Sequence, residues 1–453
     1  MLERSKPLPI AIRANLTPGG QFDDDSFRIR STFRAVSRAL RNSDRAKEIN
    51  LRTGPSRRLA KAFEDLRPTS SQLEFLALRG YGDNIRSTVF DVPSIIFDQC
   101  VFPLKTLILE RCKVVPSDLT RHCAHLTHLE LHSVPSFNVG DLIAIFRLAS
   151  SSLQSIVLDS IPIPGGVFER IPHTSFPHLS TLNFSAPNGD SHTHNVFLLL
   201  HFMTVPLTAT LILQFLIPGP TWQMPATIMP TLGRHFSGGD PIRSLIVFQT
   251  SLNKRRGLRI QGWNRPTLPR FFYPEDAPSP TVDVHWVCEE EEDGGSLERI
   301  LSDLTSVGPL HAVQALTIAR VSVLSVTAMD SLLLMLPSLR EVCIHGSASL
   351  RVLCGLELGG GTVTRSPPLV RLRELQILTI YEASFRDGET QDVDLHALRN
   401  CLDELSARGY GMNELIVCYS DACRQDMEEL ARRVPHFLWD GSTNGTTGVP
   451  VPS

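Results

Sequence analysis

Three histidines and a cysteine crowd into one short stretch: His122, Cys123, His125 and His128. Imidazole nitrogen and thiolate sulfur are zinc ligands, so the cluster raises a metal reading. Tetrahedral zinc sites draw on paired ligands at set spacings, and no second pair follows at such an interval. The pattern points instead to solvated or capping histidines on the approach to a strand at Leu126–Leu131, with His128 on the strand itself. His192 and His194 flank one residue of a polar stretch and make a weaker pair. The acidic run Glu289–Asp293 has charge enough for a cation, but consecutive carboxylates define no coordination geometry. The glycines at 359–361 are not followed by Gly-Lys-Ser/Thr, as a phosphate-cradling loop requires. No GxSxG, HExxH or kinase signature occurs. The sequence therefore predicts a non-enzymatic protein with no catalytic residues, no metal and no cofactor. The competing reading is an enzyme whose site joins His285, Glu289 and His311 in inserted loops.

The elements that must position any such residue follow one repeated pattern, LxxLxL. It recurs as Leu73-Leu76-Leu78, Leu104-Leu107-Leu109, Leu126-Leu129-Leu131, Leu153-Ile156-Leu158 and Leu179-Leu182-Phe184. It returns as Ile242-Leu245-Val247, Val313-Leu316-Ile318, Leu339-Val342-Ile344, Leu375-Leu378-Ile380 and Met412-Leu415-Val417. Ala46-Ile49-Leu51 is a weaker early copy, Leu207–Leu213 a distorted one, and Val282–Val284 a remnant. Each LxL alternates with period two, as a strand does when one face is buried. Helical sets lie between the strands: Phe33-Val36-Leu40, Leu142-Ile145-Phe146-Ala149, Leu297-Ile300-Leu301-Leu304, Met329-Leu332-Leu333-Leu336, Leu395-Leu398-Leu402-Leu405 and Met427-Leu430-Val434. Units of this length stack on their neighbours and bury a continuous apolar ridge. The predicted fold is an α/β leucine-rich-repeat solenoid, a horseshoe with parallel strands on its concave face and helices on its convex face.

Residues 1–45 read as an N-terminal capping strand and basic helix, and 46–435 as the solenoid. Composition shifts near 217–241, 250–281 and 346–371 read as inserted loops, and 436–453 as a disordered tail. The apolar run Val196–Ile217 is split by Pro206 into a short helix, Val196–Met203, and a strand, Leu211–Phe215, pieces too short to span a bilayer.

The net charge of −3 gives the molecule no polyanion-binding signature as a whole. Residues 1–68, however, carry 15 Lys+Arg against 8 Asp+Glu, an excess of +7 concentrated from Arg28 to Arg67. That stretch is the basis of an alternative reading, a nucleic-acid-associated protein. The nine cysteines are odd in number and several sit inside apolar strands, which suits a reducing compartment. The expected location is cytoplasmic or nuclear.

In LxxLxL the intervening residues face away from the core. The partner-binding face predicted this way carries Phe75, Arg79, Glu110, His128, Glu130, His132, Asp159, Asn183, His345 and Tyr381. It mixes charges with a few aromatics, a composition suited to a protein partner.

Several stretches resemble the repeat region of F-box-like proteins from mushroom-forming (basidiomycete) fungi: Leu2-Glu3-Arg4-Ser5-Lys6-Pro7-Leu8, SQLEFLALRG (71–80), FPLKTLILERC (102–112), FPHLSTLNF (176–184) and LPSLREVCIHG (336–346). The resemblance implies a leucine-rich-repeat fold that holds an unidentified protein target for a cullin-based ubiquitin ligase. Nothing between Met1 and Arg45 matches the F-box, the module that grips a Skp-type adaptor. Adaptor binding is therefore expected only if an F-box lies upstream.

Overall fold

The computed structural model describes residues 8–16, 25–53, 63, 72–80, 89–97, 103–163, 172–186, 195–217, 231–234, 241–252, 255–265, 280–288, 310–319, 321, 325–356, 367–385 and 393–441. The chain forms two compact units, 1–215 and 216–453. Both are mixed α/β, and each is built on a parallel-rich sheet.

In the first unit the strands are β1 (Ile10–Leu16), β2 (Ala46–Thr53), β3 (Phe75–Gly80), β4 (Thr106–Glu110), β5 (His128–His132), β6 (Ser155–Asp159), β7 (Thr181–Ala186) and β8 (Thr210–Ile217). They pair in that order, all parallel, with one register shift between Ile10 and Ala11 of β1. The apolar positions of each LxxLxL copy are buried, including the weak copy Ala46-Ile49-Leu51 at 0% exposure. Helix α1 (Asp25–Leu40) follows β1. Helices α2 (Pro116–Thr120) and α3 (Val139–Ala149) lie between later strands. Asn138 begins α3 in a capping box, accepting from the Asp141 amide while Asp141 accepts from its own. Leu142, Ile145, Phe146 and Ala149 of α3 are all buried, as their helical spacing predicts. The apolar run before β8 forms a 3-10 helix, Asn195–Phe202, and is core: the Phe197 ring stacks on Phe215 at 4.1 Å.

In the second unit a parallel ladder runs β9 (Ser244–Leu252), β12 (Ala315–Ala319), β13 (Glu341–His345), β14 (Ile377–Tyr381), β15 (Glu414–Cys418) and β16 (His436–Trp439). β10 (Arg255–Trp263) and β11 (Val282–Cys288) continue the sheet beyond β9 as antiparallel partners. Helices α4 (Val326–Leu334), α5 (Ser347–Leu353), α6 (Val393–Ala407) and α7 (Arg424–Ala431) pack around it. Gly409, at φ +75°, ends α6 as its position after the apolar stripe predicts.

The ladder is extended at both ends by the same two bonds in successive units. One carbonyl before each strand accepts two amides from the next: Glu74 O from Lys105 and Thr106, Thr127 O from Gln154 and Ser155, Arg340 O from Gln376 and Ile377. After the strand, one residue turns left-handed. Arg111, Ser133, Ser160, Glu382 and Tyr419 all sit at φ 50–54°. The amides of Arg111, Ser133 and Ser160 each donate at 2.8 Å to a carbonyl at the end of the following strand, those of His132, Asp159 and Ser185. The hydrogen bond thus recovers part of the backbone strain, which for an L-residue is about 1–2 kcal/mol. Ser133→Gly relieves that strain against glycine's own entropic cost of about 0.5–1 kcal/mol. We expect a net stabilisation of about 0.5 kcal/mol by denaturant titration; a loss above 1 kcal/mol would mean that the Ser133 side chain itself holds the turn.

Four expectations change. The segments expected as inserted loops contain regular structure: β9 ends and β10 lies inside 250–281, and α5 and the 3-10 turn Pro368–Arg371 lie inside 346–371. In β10 the arginines and glycines hid the strand pattern. Gly257 is there because a Cβ would meet Thr250 Oγ1 and the Trp286 carbonyl at 2.5 Å. Val282–Val284 is not a degenerate repeat but the start of β11, antiparallel to β10. The expected tail begins with a strand, β16, because His436 and Asp440 donate backbone amides to the Asn413 and Val417 carbonyls. The helical set Leu297–Leu304 and residues 442–453 lie outside the described residues, as do residues 217–241 apart from Ile217, 231–234 and Pro241.

Candidate interaction face

On each strand of the first unit, residues two apart point away from the buried leucines. Parallel register brings them into rows across the sheet. One row runs Asn15, Arg52, Arg79, Glu110, His132, Asp159, Ser185, Gln214. The next runs Arg13, Asn50, Ala77, Ile108, Glu130, Val157, Asn183, Ile212, and the third holds Glu48, Phe75, Thr106, His128, Ser155 and Thr181. Eight of the ten residues predicted from the repeat pattern therefore lie on one face of one unit. Of these, His128 is exposed and the rest are half-buried.

The centre of that face is a hydrogen-bonded charge cluster. His132 Nδ1 lies 3.4 Å from Asp159 Oδ2, and His132 Nε2 lies 3.8 Å from Glu130 Oε2. Asp159 foremost, with Glu130, raises the His132 imidazole to about 9, against the cost of its partial burial. His132 is thus charged at neutral pH. In return it holds the Glu130 carboxyl below its usual range. Burial pushes the Asp159 carboxyl up, but hydrogen bonds from His132, Ser160 and Ser185 outweigh it and hold Asp159 low. A protonated histidine held between two ionised carboxylates makes this part of the face an ion cluster.

Toward β1 the face turns basic. Arg13, Ala14, Asn15, Asn50, Arg52 and Arg79 line an open depression of about 370 Å3. Arg13 is committed to Glu48, donating from Nε and Nη2 at 2.6 Å each. Arg79 stands opposite Glu110 in register but donates to Asn50 Oδ1 at 3.0 Å, so it leans toward β2. Arg13, Asn50 and Arg52 were not among the predicted face residues. The signal was present: Asn50 and Arg52 alternate with Ile49 and Leu51 in the weak early repeat.

The second unit has a different face. His345 and Tyr381 are neighbours in register, and their rings stack at 4.9 Å, with Tyr419 stacked on Tyr381 at 6.4 Å. Tyr381 is only 4% exposed, which corrects its assignment as an accessible contact residue: the flanking rings cover it. Cys343 Sγ lies 3.6 Å from His345 Nε2, and burial pushes its thiol up to about 12. On β10 and β11, Arg259 donates from Nε and Nη2 to Asp283 at 2.8 and 2.5 Å, with Gln261 adding a third bond at 3.1 Å. Burial, helped by the Arg259 charge, lowers His285 to about 4, and its Nε2 lies 2.9 Å from Thr250 Oγ1.

His285 is therefore a neutral, bonded residue of a packed hairpin. His311 is exposed in the turn before β12, and Glu289 lies outside the described residues. In the first histidine cluster, His122 is 2% exposed with Nε2 3.0 Å from the Phe97 carbonyl, rather than solvated. Cys123 is buried, whereas His125 and His128 point to solvent. Among the described residues no group of three His, Cys, Asp or Glu side chains is arranged to hold a metal ion. His192, His194 and Gly359–Gly361 lie outside them. Among the described residues, no helix is long and apolar enough to cross a membrane.

No family model matches the chain, and no curated protein matches it. Among solved structures, a leucine-rich-repeat protein of Leptospira interrogans is similar over 97% of this chain and 98% of its own, at 11% identity and a TM-score of 0.22. At that score the reading of the face rests on this chain's own ladder.

Proposed function

We propose that the chain is a non-catalytic protein-interaction module, a leucine-rich-repeat solenoid that holds a protein target on the open face of its strands. One observation carries the reading: strands of the first unit set chemically mixed, mostly part-exposed side chains in register rows on one face. Repeat arrays bind through such extended faces because each added strand widens the surface without disturbing its neighbours. Partners of this kind recognise mixed polar and aromatic surfaces rather than a single pocket. The finer reading follows from the resemblance: the module is the target-recognition part of an F-box-type receptor, joined to its ligase by an F-box supplied upstream.

A photo-crosslinking residue at Asn183, on the face, is expected to capture a specific protein from a native extract. The same residue at exposed Arg147 of α3 is expected to capture none of it. Equal capture from both positions, or none from Asn183, overturns the face as the binding surface. A Skp-type adaptor recovered with the target only when the upstream reading frame is included supports the ligase assignment; its absence from that longer protein removes it.

A further inference from the structure

Two histidines from successive repeats of the first unit stand side by side outside the strand rows of its face. His173 lies in the segment leading into β7, and His201 lies near the end of the 3-10 helix Asn195–Phe202, on the way to β8. A short parallel bridge ties the two segments together. Thr174 pairs with Met203 and Ser175 with Thr204, and the Phe176 amide donates to the Thr204 carbonyl at 3.2 Å. This register sets His173 level with Phe202, the residue after His201. The two imidazole centres are 5.6 Å apart and tilted by 56°. Phe202, only 7% exposed, supports both rings: it meets His201 edge-on at 5.0 Å and His173 at 6.4 Å.

Other histidines of the chain have their nitrogens engaged. His122 bonds the Phe97 carbonyl, His132 lies between two carboxylates, and His285 bonds Thr250. Among the described residues His173 and His201 make ring contacts only, with no hydrogen bond or ion pair. Both are exposed. A neutral imidazole keeps a lone pair on one nitrogen, and imidazole suits zinc, nickel and copper. With zinc–nitrogen bonds of about 2.0–2.1 Å at a tetrahedral angle, two bound imidazoles have ring centres about 5 Å apart. A separation of 5.6 Å therefore needs only small rotations of two exposed side chains.

We propose that His173 and His201 together hold one divalent transition-metal ion, zinc, nickel or copper, at an open surface site. The two imidazoles fill two coordination positions and water fills the rest. The ion is therefore exchangeable and keeps positions for a further ligand. Among the described residues no carboxylate or carbonyl orients either ring, the support that tightly held ions receive. Magnesium, which takes oxygen ligands, is not held. Sequence spacing does not show the pair, because its members belong to separate repeats and meet only through the bridge.

The test is histidine footprinting of the full chain with diethyl pyrocarbonate, read by mass spectrometry across a nickel chloride titration. A chelating pair captures the ion at lower concentration than a solitary imidazole does. Half-protection of His173 and His201 is expected at the same nickel concentration, at least tenfold below that needed for the exposed single histidines His125 and His436. Magnesium chloride protects neither. His173→Ala raises the nickel concentration that protects His201 at least tenfold, and His201→Ala does the same to His173. His192→Ala with His194→Ala leaves both protections unchanged. The titration of the unaltered chain needs no variant, so the proposal stays testable even where a substitution disturbs folding. Protection of the pair at no lower nickel than His125 overturns the proposal. So does protection of one member without the other, protection that survives removal of its partner, or protection lost with His192 and His194.

Discussion

Replacing Asp394 by alanine is expected to destabilise the second unit by about 3 kcal/mol, the low end of what a broken buried ion pair costs. Asp394 sits in the first turn of α6 with its side chain 5% exposed, and Arg351, in the last turn of α5, donates to both its oxygens at 2.7 and 2.8 Å. The carboxylate also faces the positive end of its own helix. Removing it takes this partner from a guanidinium that is 30% exposed, so water recovers part of the loss. At the end of the same helix, Glu404 pairs with Arg408, the residue that follows the helix, with both side chains more than a third exposed. Glu404→Ala is expected to cost less than about 0.5 kcal/mol. All four tryptophans, Trp222, Trp263, Trp286 and Trp439, fall in the second unit, so tryptophan fluorescence during denaturant unfolding follows that unit alone. Asp394→Asn keeps the shape and removes the charge, and should fall between the two. If Asp394→Ala costs under 1 kcal/mol, the α5–α6 contact is held by its apolar residues, Leu350, Leu353, Leu395 and Leu398, and the ion pair is incidental.

The repeat was legible because its signal is apolar and local. A leucine two residues from a leucine, repeated at intervals, declares a strand with one buried face, and every fully described copy lies on a strand. The antiparallel pair β10–β11 was not legible. β10 is stabilised by register with β9 and by Arg259–Asp283, and neither leaves an alternating apolar trace in a stretch reading RRGLRIQGW. β16 was hidden for a related reason: as an edge strand it buries no complete face, so HFLW shows no apolar period.

The candidate face was legible as a set of positions but not as a charge pattern. Alternation placed His132 and Asp159 on the same side of their strands. Only the register of β5 against β6 makes them partners, because they are 27 residues apart. The leaning of Arg79 toward Asn50 is a rotamer choice that no spacing encodes. Tyr381 failed as a contact residue for the complementary reason: alternation says which way a side chain starts, not whether neighbouring rings will cover it.

The two units are expected to respond to pH in opposite directions, each through one histidine. In the first unit His132 holds its proton up to about 9, whereas the unfolded chain releases it near 6.5. Between those values the folded state binds more protons, so the stabilisation is complete below pH 6.5 and is lost as pH rises toward 9. In the second unit His285 stays neutral down to about 4. Between 4 and 6.5 the unfolded chain binds the extra proton, so stability is lost as pH falls through that window. Each pH unit of difference is worth 1.36 kcal/mol, a ceiling of about 3.4 kcal/mol for either histidine. His132 and its carboxylates are about a third exposed, so solvent screening brings the first effect to about 1–2 kcal/mol; the more enclosed His285 should give about 2 kcal/mol. Glu130 and Asp159, both held low, contribute stability that is present above the ordinary carboxylate range and fades only in stronger acid. The first unit should therefore be most stable between about pH 5 and 6.5, and the second above about 6.5. Hydrogen exchange resolved by mass spectrometry reads both units in one experiment. His132→Gln should flatten the alkaline limb in β5 and β6 and leave the second unit unchanged, while His285→Gln should flatten the acid limb in β10 and β11. Parallel pH profiles in the two units, or an alkaline limb that survives His132→Gln, would show that the cluster on the face is too well solvated to hold its proton.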